Sequence, residues 1–176
     1  QAKTLFPYTT LFRSHIDLAK AVWLDYCECK MIDTIAREPL WRHLINYRCG
    51  TGHSVSFVGN VHEGPHALNS RNTTRMRPGM VVTDEPGVYE TDLVGIRIEN
   101  ELVCVHKADN QYGTFLGFEP LMFVPIATSP ILPGVLDKDE IAWLNDYHRQ
   151  VFAKLAPHLN DEERSWLAEK CAAIGC

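Results

Sequence analysis

Hydrophobic residues follow three regimes along the chain. From His15 to Leu44 they recur at helical spacing: "HIDLAKAV" and "MIDTIAREPLWRHLI" place Ile32, Ile35, Ala36, Leu40, Trp41 and Leu44 three or four residues apart, the period of a helix with one buried side. Two helices are therefore expected to open the domain. After Tyr47 the chain changes to short glycine-punctuated runs, "GTGHSVSFVGNVH", "GMVVTDEPGVYE", "GIRIENELVCVHK" and "GTFLGFEPLMFVPI". Rich in Val, Ile, Phe and Tyr, they read as strands of an antiparallel sheet. Pro78 and Gly79 supply a turn into one strand, and "YETDLVG" the turn out of it. From Asp137 the helical period returns, with Ile141, Leu144, Tyr147, Val151 and Leu155 on one side. Asp137, three residues before Glu140, forms a capping-box pair, Pro157 lies just past the helix end, and Asn160 or Asp161 is placed to cap a last short helix over "EERSWLAEKCAA". No internal repeat or low-complexity tract interrupts the series, so the pattern predicts one α+β domain or a piece of one.

The stretch "TLFPYTTLFRS", Thr4 to Ser14, stands apart, with no acid, no helical stripe and no clean alternation. It matches the translation of one reading frame of a widely used sequencing-library adapter. Residues 1–14 are accordingly expected to be foreign, and residues 15–176 to be the C-terminal part of a larger catalytic domain.

Composition narrows the function classes. The 176 residues are 45% hydrophobic and 22% charged, enough for a sizeable core. With a formal net charge of −5 and scattered Lys and Arg, there is no basic stripe for a phosphate backbone, so nucleic acid is not an expected partner. No apolar run approaches the roughly 20 residues of a spanning helix, and no secretory leader is recognisable, so no membrane partner is expected and the cytoplasm is the expected location. Cys27, Cys29, Cys49, Cys104, Cys171 and Cys176 do not form paired C-x-x-C motifs and read as free thiols.

Candidate chemistry collects in the strand-rich part. Glu85 closes an apolar run in "VVTDEPGVYE" and Glu99 lies inside one in "VGIRIENELV", where a lone carboxylate is costly to bury. If those strands pair through the turn between them, the two carboxylates converge, and like charges that close call for a cation. His53 and His62 complete a set of imidazoles and carboxylates without thiolates, a fairly hard site favouring Mn, Co or Zn over copper. Taken singly, each residue also has a bland reading, a solvated Glu on an open sheet face or a His satisfied by loop backbone. The joint pattern carries the argument.

"GTGHSVSFVGNVHEGP" and "GMVVTDEPGVYETDLVGIRIEN", followed by "FEPLMFVPI" and "WLNDYH", closely resemble the catalytic domain of aminopeptidase P, the Xaa-Pro aminopeptidases of the pita-bread metallopeptidase superfamily, from about His15 onward. Motif order and the intervals fit, nine residues from His53 to His62 and fourteen from Glu85 to Glu99. The resemblance implies an incomplete pita-bread fold, an antiparallel curved sheet flanked by helices. It also implies two divalent metal ions, Mn foremost with Co or Zn as alternatives, held by His53, Glu85 and Glu99, one glutamate bridging. Glu85 would double as general base, His62 would touch substrate near the scissile bond, and Arg97 would orient the carboxylates beside the metals. The implied reaction is hydrolysis, by metal-activated water, of the bond between an N-terminal residue and a following proline. Its partner is a peptide with proline at the second position, and the full-length parent could form a homodimer.

Three departures from the family pattern stand out. Cys49 sits where many relatives place a histidine thought to assist proton transfer, and Ser54 and Ser56 replace two glycines, tightening backbone freedom. Two aspartate ligands, eleven residues apart in a segment resembling "D-S-G…T-T-D", are missing, while Asp17, Asp25 and Asp33 have the wrong intervals and neighbours. Three ligands for a centre requiring five predict that the chain as it stands is inactive, and an unpaired sheet edge predicts that it is aggregation-prone. The alternatives are a prolidase-type dipeptidase, a metal-free creatinase-type C–N hydrolase, and a non-catalytic peptide-binding pita-bread module. Retention of His53, Glu85 and Glu99 argues against the last two.

Overall fold

The computed structural model describes residues 2–175, with side chains from residue 8 onward. The chain divides into two compact units, one of residues 10–122 and one of residues 123 onward together with those before residue 10.

In the larger unit, the part of helix α1 (Ala2–Ala19) from residue 10 onward buries Leu11, Phe12, His15, Ile16 and Leu18 completely. The expectation that Thr4–Ser14 carries no helical stripe is not met. The stripe straddles residue 14, pairing 11 and 12 with 15 and 16, so neither half shows it when read alone. The Ser14 hydroxyl donates to the Ala36 carbonyl at 2.5 Å. Ala36 lies on α2 (Cys29–Trp41), which carries Pro39 in its last turn. The helix expected to run through Leu44 stops early: Leu44 takes a left-handed φ of 58° and is 97% exposed.

Four antiparallel strands form the main sheet in the order β1 (Val22–Leu24), β8 (Gly113–Pro120), β7 (Asn100–Asn110), β4 (Val81–Asp84). Their inward residues, including Trp23, Val82, Leu102, Cys104, Leu116 and Phe118, pack with Leu18, Ile32 and Ala36 of the helices in one core. Two short ladders complete the unit, β2 (Gly52–His53) with β3 (Ala67–Leu68) and β5 (Gly87–Glu90) with β6 (Val94–Arg97). The turn residues behave as their chemistry requires. Gly79 enters β4 with φ 90°, and Asp92 turns the β5–β6 hairpin with φ 57°. The run "GTGHSVSFVGNVH" yields only the two-residue β2, after which Phe57, Val58 and Val61 lie exposed outside any strand.

The smaller unit is built on α3 (Lys138–Leu155) and α4 (Asp161–Lys170). Both helices begin with complete capping boxes, Asp137 with Glu140 and Asn160 with Glu163. Tyr147, Val151 and Leu167 form its core, with Trp143 stacked on Tyr147 at 5.7 Å between centroids. No helix among the described residues is long and apolar enough to cross a membrane.

Candidate active site

Glycine decides where His53 sits. Strand β2 lies so close to β4 that a Cβ on Gly52 would stand 1.7 Å from the Thr83 carbonyl oxygen, and only a residue without one fits. Beside it, the His53 backbone N–H donates to the Thr83 hydroxyl at 2.9 Å, and Ser54 bridges to Val82. On the other side of β4, Asp84 pairs with Asn100 in the β4–β7 ladder and Gly87 pairs with Arg97 in the β5–β6 ladder. Glu85 and Glu99 occupy the step between these ladders, each one residue beyond the Asp84–Asn100 pair. They share an end of the sheet because the two ladders share their chains.

The side chains meet there. His53 Nε2 lies 3.2 Å from Glu85 Oε1, Arg97 Nε lies 2.9 Å from Glu99 Oε2, and Arg97 Nη1 lies 3.9 Å from Glu85 Oε2. The His62 ring sits 4.1 Å from that of His53. The Tyr89 hydroxyl accepts from Arg97 Nη1 at 3.3 Å, and with Glu99 it holds the guanidinium charged by raising its pKa. Sequence reasoning placed Glu99 inside a strand, whereas it lies in the break between β6 and β7 and is 36% exposed, twice the 18% of Glu85. Arg97 pairs with it, and the rest of its carboxylate faces open solvent. The Cys49 thiol donates to the Gly87 carbonyl at 3.7 Å.

A buried network fixes the backbone underneath. Asp33 accepts from Arg37 Nε at 2.7 Å and from the Thr51 hydroxyl. Arg37 also donates to the Tyr47 and Cys49 carbonyls, each at 2.9 Å, and Tyr47 shares a 2.5 Å hydrogen bond with Thr51. Burial drives the Tyr47 hydroxyl pKa far above its ordinary value, so it stays protonated within the network. Thr51 in turn accepts the Glu85 backbone N–H at 2.7 Å. Next to Glu85, the fully buried Asp84 carboxyl has its pKa raised by burial, an effect opposed by His15, whose Nδ1 lies 3.1 Å from Asp84 Oδ2. Neither network was legible in the sequence, since each joins positions far apart. Asp33 and Arg37, four apart on α2, gave the one local signal.

The chemistry of the pair indicates what it would bind. His53 Nδ1 lies 3.1 Å from the Ser54 carbonyl, which can only accept, so the partners assign the proton to Nδ1. Nε2 faces a carboxylate oxygen, and either a second ring proton or a metal ion between the two atoms would satisfy both. Two ligands about 2.1 Å from one metal and about 100° apart stand about 3.2 Å from each other, the observed spacing. The pair fits one edge of a metal shell. Glu99 is ion-paired with Arg97 here, and among the described residues no three His, Cys, Asp or Glu side chains are arranged to hold an ion.

An α+β domain that offers an imidazole and two glutamates at one sheet end has the makings of a pita-bread metallohydrolase. Comparison with known proteins sharpens this. Residues 7–106 match the metallopeptidase family M24 and residues 114–174 the C-terminal region of peptidase M24. The chain belongs to the metallopeptidase family M24. It is 38% identical over 174 residues to aminopeptidase P1 of Lotus japonicus and 41% identical over 167 residues to aminopeptidase P2 of Arabidopsis thaliana. These alignments cover 96% and 91% of the chain but 26% and 23% of the relatives, so the chain spans about a quarter of their length. Among solved structures it superposes with a TM-score of 0.91 and 36% identity on an X-prolyl aminopeptidase of Caenorhabditis elegans, a cytosolic enzyme with a di-nuclear active site, covering 99% of this chain and 29% of that one. The expected pita-bread fold and the likeness to aminopeptidase P are both met. Prolidase from Pyrococcus furiosus is more distant, at 26% identity and a TM-score of 0.54.

Proposed function

We propose that this chain supplies part of the metal centre of an Xaa-Pro aminopeptidase, which removes an N-terminal residue preceding proline. The carrying observation is the His53–Glu85 pair, an imidazole nitrogen and a carboxylate oxygen facing each other at a spacing that fits two ligands of one metal. His53, Glu85 and Glu99 would hold divalent metal, Mn foremost with Co or Zn as alternatives, and two aspartates from outside this chain would complete the set. Divalent metal bound there supplies Lewis acidity and a nucleophile competent at neutral pH.

The chain's own residues do the remaining work. Glu85 presents one oxygen to His53 and the other toward Arg97, which suits a carboxylate that both ligates and accepts a proton. His62, exposed beside His53, is placed to donate to a peptide carbonyl. Arg97 restrains both glutamates and limits their repulsion. Cys49, whose thiol donates to Gly87, stands at the edge of the site as a substrate-binding or supporting residue. The place of action is the cytosol, as for the nematode enzyme.

The test is assay of the full-length parent with Mn²⁺ on peptides beginning Xaa-Pro. Release of the first residue from tripeptides and longer substrates, abolished by His53→Ala, is expected. Cleavage of dipeptides alone would make it a prolidase. We further propose that residues 1–14 derive from adapter sequence in the source DNA, and resequencing that returns the same codons for Thr4–Ser14 would overturn this.

A further inference from the structure

We propose that Thr83 is the positioning residue of this centre: its single hydroxyl sets the angle of both His53 and Glu85. Thr83 is buried on β4, directly opposite Gly52. Its Oγ1 accepts the His53 backbone N–H at 2.9 Å and donates its proton to Glu85 Oε1 at 2.9 Å. One hydroxyl thus uses an acceptor site on one residue of the pair and its donor on the other. Glu85 Oε1 is also the oxygen that faces His53 Nε2.

Four atoms define a closed relay from the His53 backbone N, through Thr83 Oγ1, to Glu85 Oε1 and back to the His53 ring Nε2. Glu85 can turn about its terminal torsion, which has broad wells. A donor from a fixed β-branched side chain removes that freedom, because χ1 of threonine in a strand is stiff. The relay also answers how a centre keeps its shape when Glu99 is drawn onto Arg97. Neighbours that donate to metal ligands characteristically govern ligand orientation, and their loss typically lowers affinity about 10–100-fold. Nothing else among the described contacts reaches both residues of the pair through one atom.

This rests on the reading of His53 and Glu85 as metal ligands, so two measurements separate the claims. Thr83→Val keeps the branched shape and removes the hydroxyl, and Thr83→Ser keeps the hydroxyl. In the metal-free chain, ring ¹⁵N shifts of His53 report its tautomer and surroundings. Valine is expected to shift them and serine to leave them near wild type, with far-UV circular dichroism unchanged in both. Unmoved shifts in Thr83→Val overturn the proposal whether or not metal binds. In the full-length parent, which supplies the two aspartates, Mn²⁺ binding is followed by the electron paramagnetic resonance signal of the free ion, and Thr83→Val is expected to bind about 10–100-fold more weakly and Thr83→Ser within about threefold. Equal Mn²⁺ affinity for valine and wild type overturns the role of Thr83 alone. Altered His53 shifts with no Mn²⁺ binding even to the wild-type full-length parent uphold the positioning and overturn the metal reading.

Discussion

Helix α3 and strand β2 are held by different kinds of information. Asp137 and Glu140 close the start of α3 across three residues. His53 is held by Thr83, thirty residues on, and Thr51 by Asp33, eighteen residues back. A contact inside one element stabilises that element and little else, whereas a contact between distant segments fixes a geometry that neither segment has alone. Damage to the first should stay local, and damage to the second should spread.

The sharpest test of that contrast is Gly52→Ala. A Cβ placed 1.7 Å from backbone cannot be absorbed by a side-chain rotation, so a loss above about 4 kcal/mol is expected, within the exceptional class of single substitutions. Loss of the cooperative urea transition would show it, and a near wild-type midpoint would mean that β2 can slide off β4. Asp33→Ala comes next. It strands the Arg37 charge in a buried site and leaves the Thr51 hydroxyl without its acceptor, at a cost of about 3–5 kcal/mol in urea unfolding. Disturbed His53 ring resonances should accompany it, because Thr51 also holds the Glu85 backbone. Asp137→Ala should cost only about 1 kcal/mol, the loss of one cap, and leave the His53 resonances unmoved. If it moves them, the separation of local from distant control fails.

Acid supplies the gentlest test. His148 is buried, and burial lowers its pKa below the ordinary 6.5. Its Nε2 accepts the Ile126 N–H at 3.1 Å, which requires the neutral ring. The folded pKa is therefore depressed, so the unfolded chain takes up the proton first as pH falls. Stability tied to His148 is full above about pH 6.5 and drains away as pH drops from there through the folded value. Melting temperature followed from pH 8 to 5 should fall less in His148→Gln than in wild type.

The same contrast explains what could be read in advance. Both caps, the face from Ile141 to Val151 and the turns at Gly79 and Asp92 were visible because each is decided within a few residues. The convergence of Glu85 with Glu99 was visible only because a short hairpin joins their strands. Hidden were the exposure of Glu99, the closeness of β2 to β4 and the hydroxyl of Thr83, which in "VVTDEP" looks like any strand-forming threonine. The stripe of α1 was hidden by dividing the chain at residue 14.

Strand pairing also imposes a schedule. β1 joins the sheet through β8, Val22 opposite Gly117, so ninety-five residues separate the partners. At the roughly 5–20 residues per second of ribosomal synthesis, β1 waits on the order of 5–20 seconds for its partner to be made, while α3 needs on the order of a microsecond to coil. During that interval the edge of β1 is open to any other nascent strand in reach.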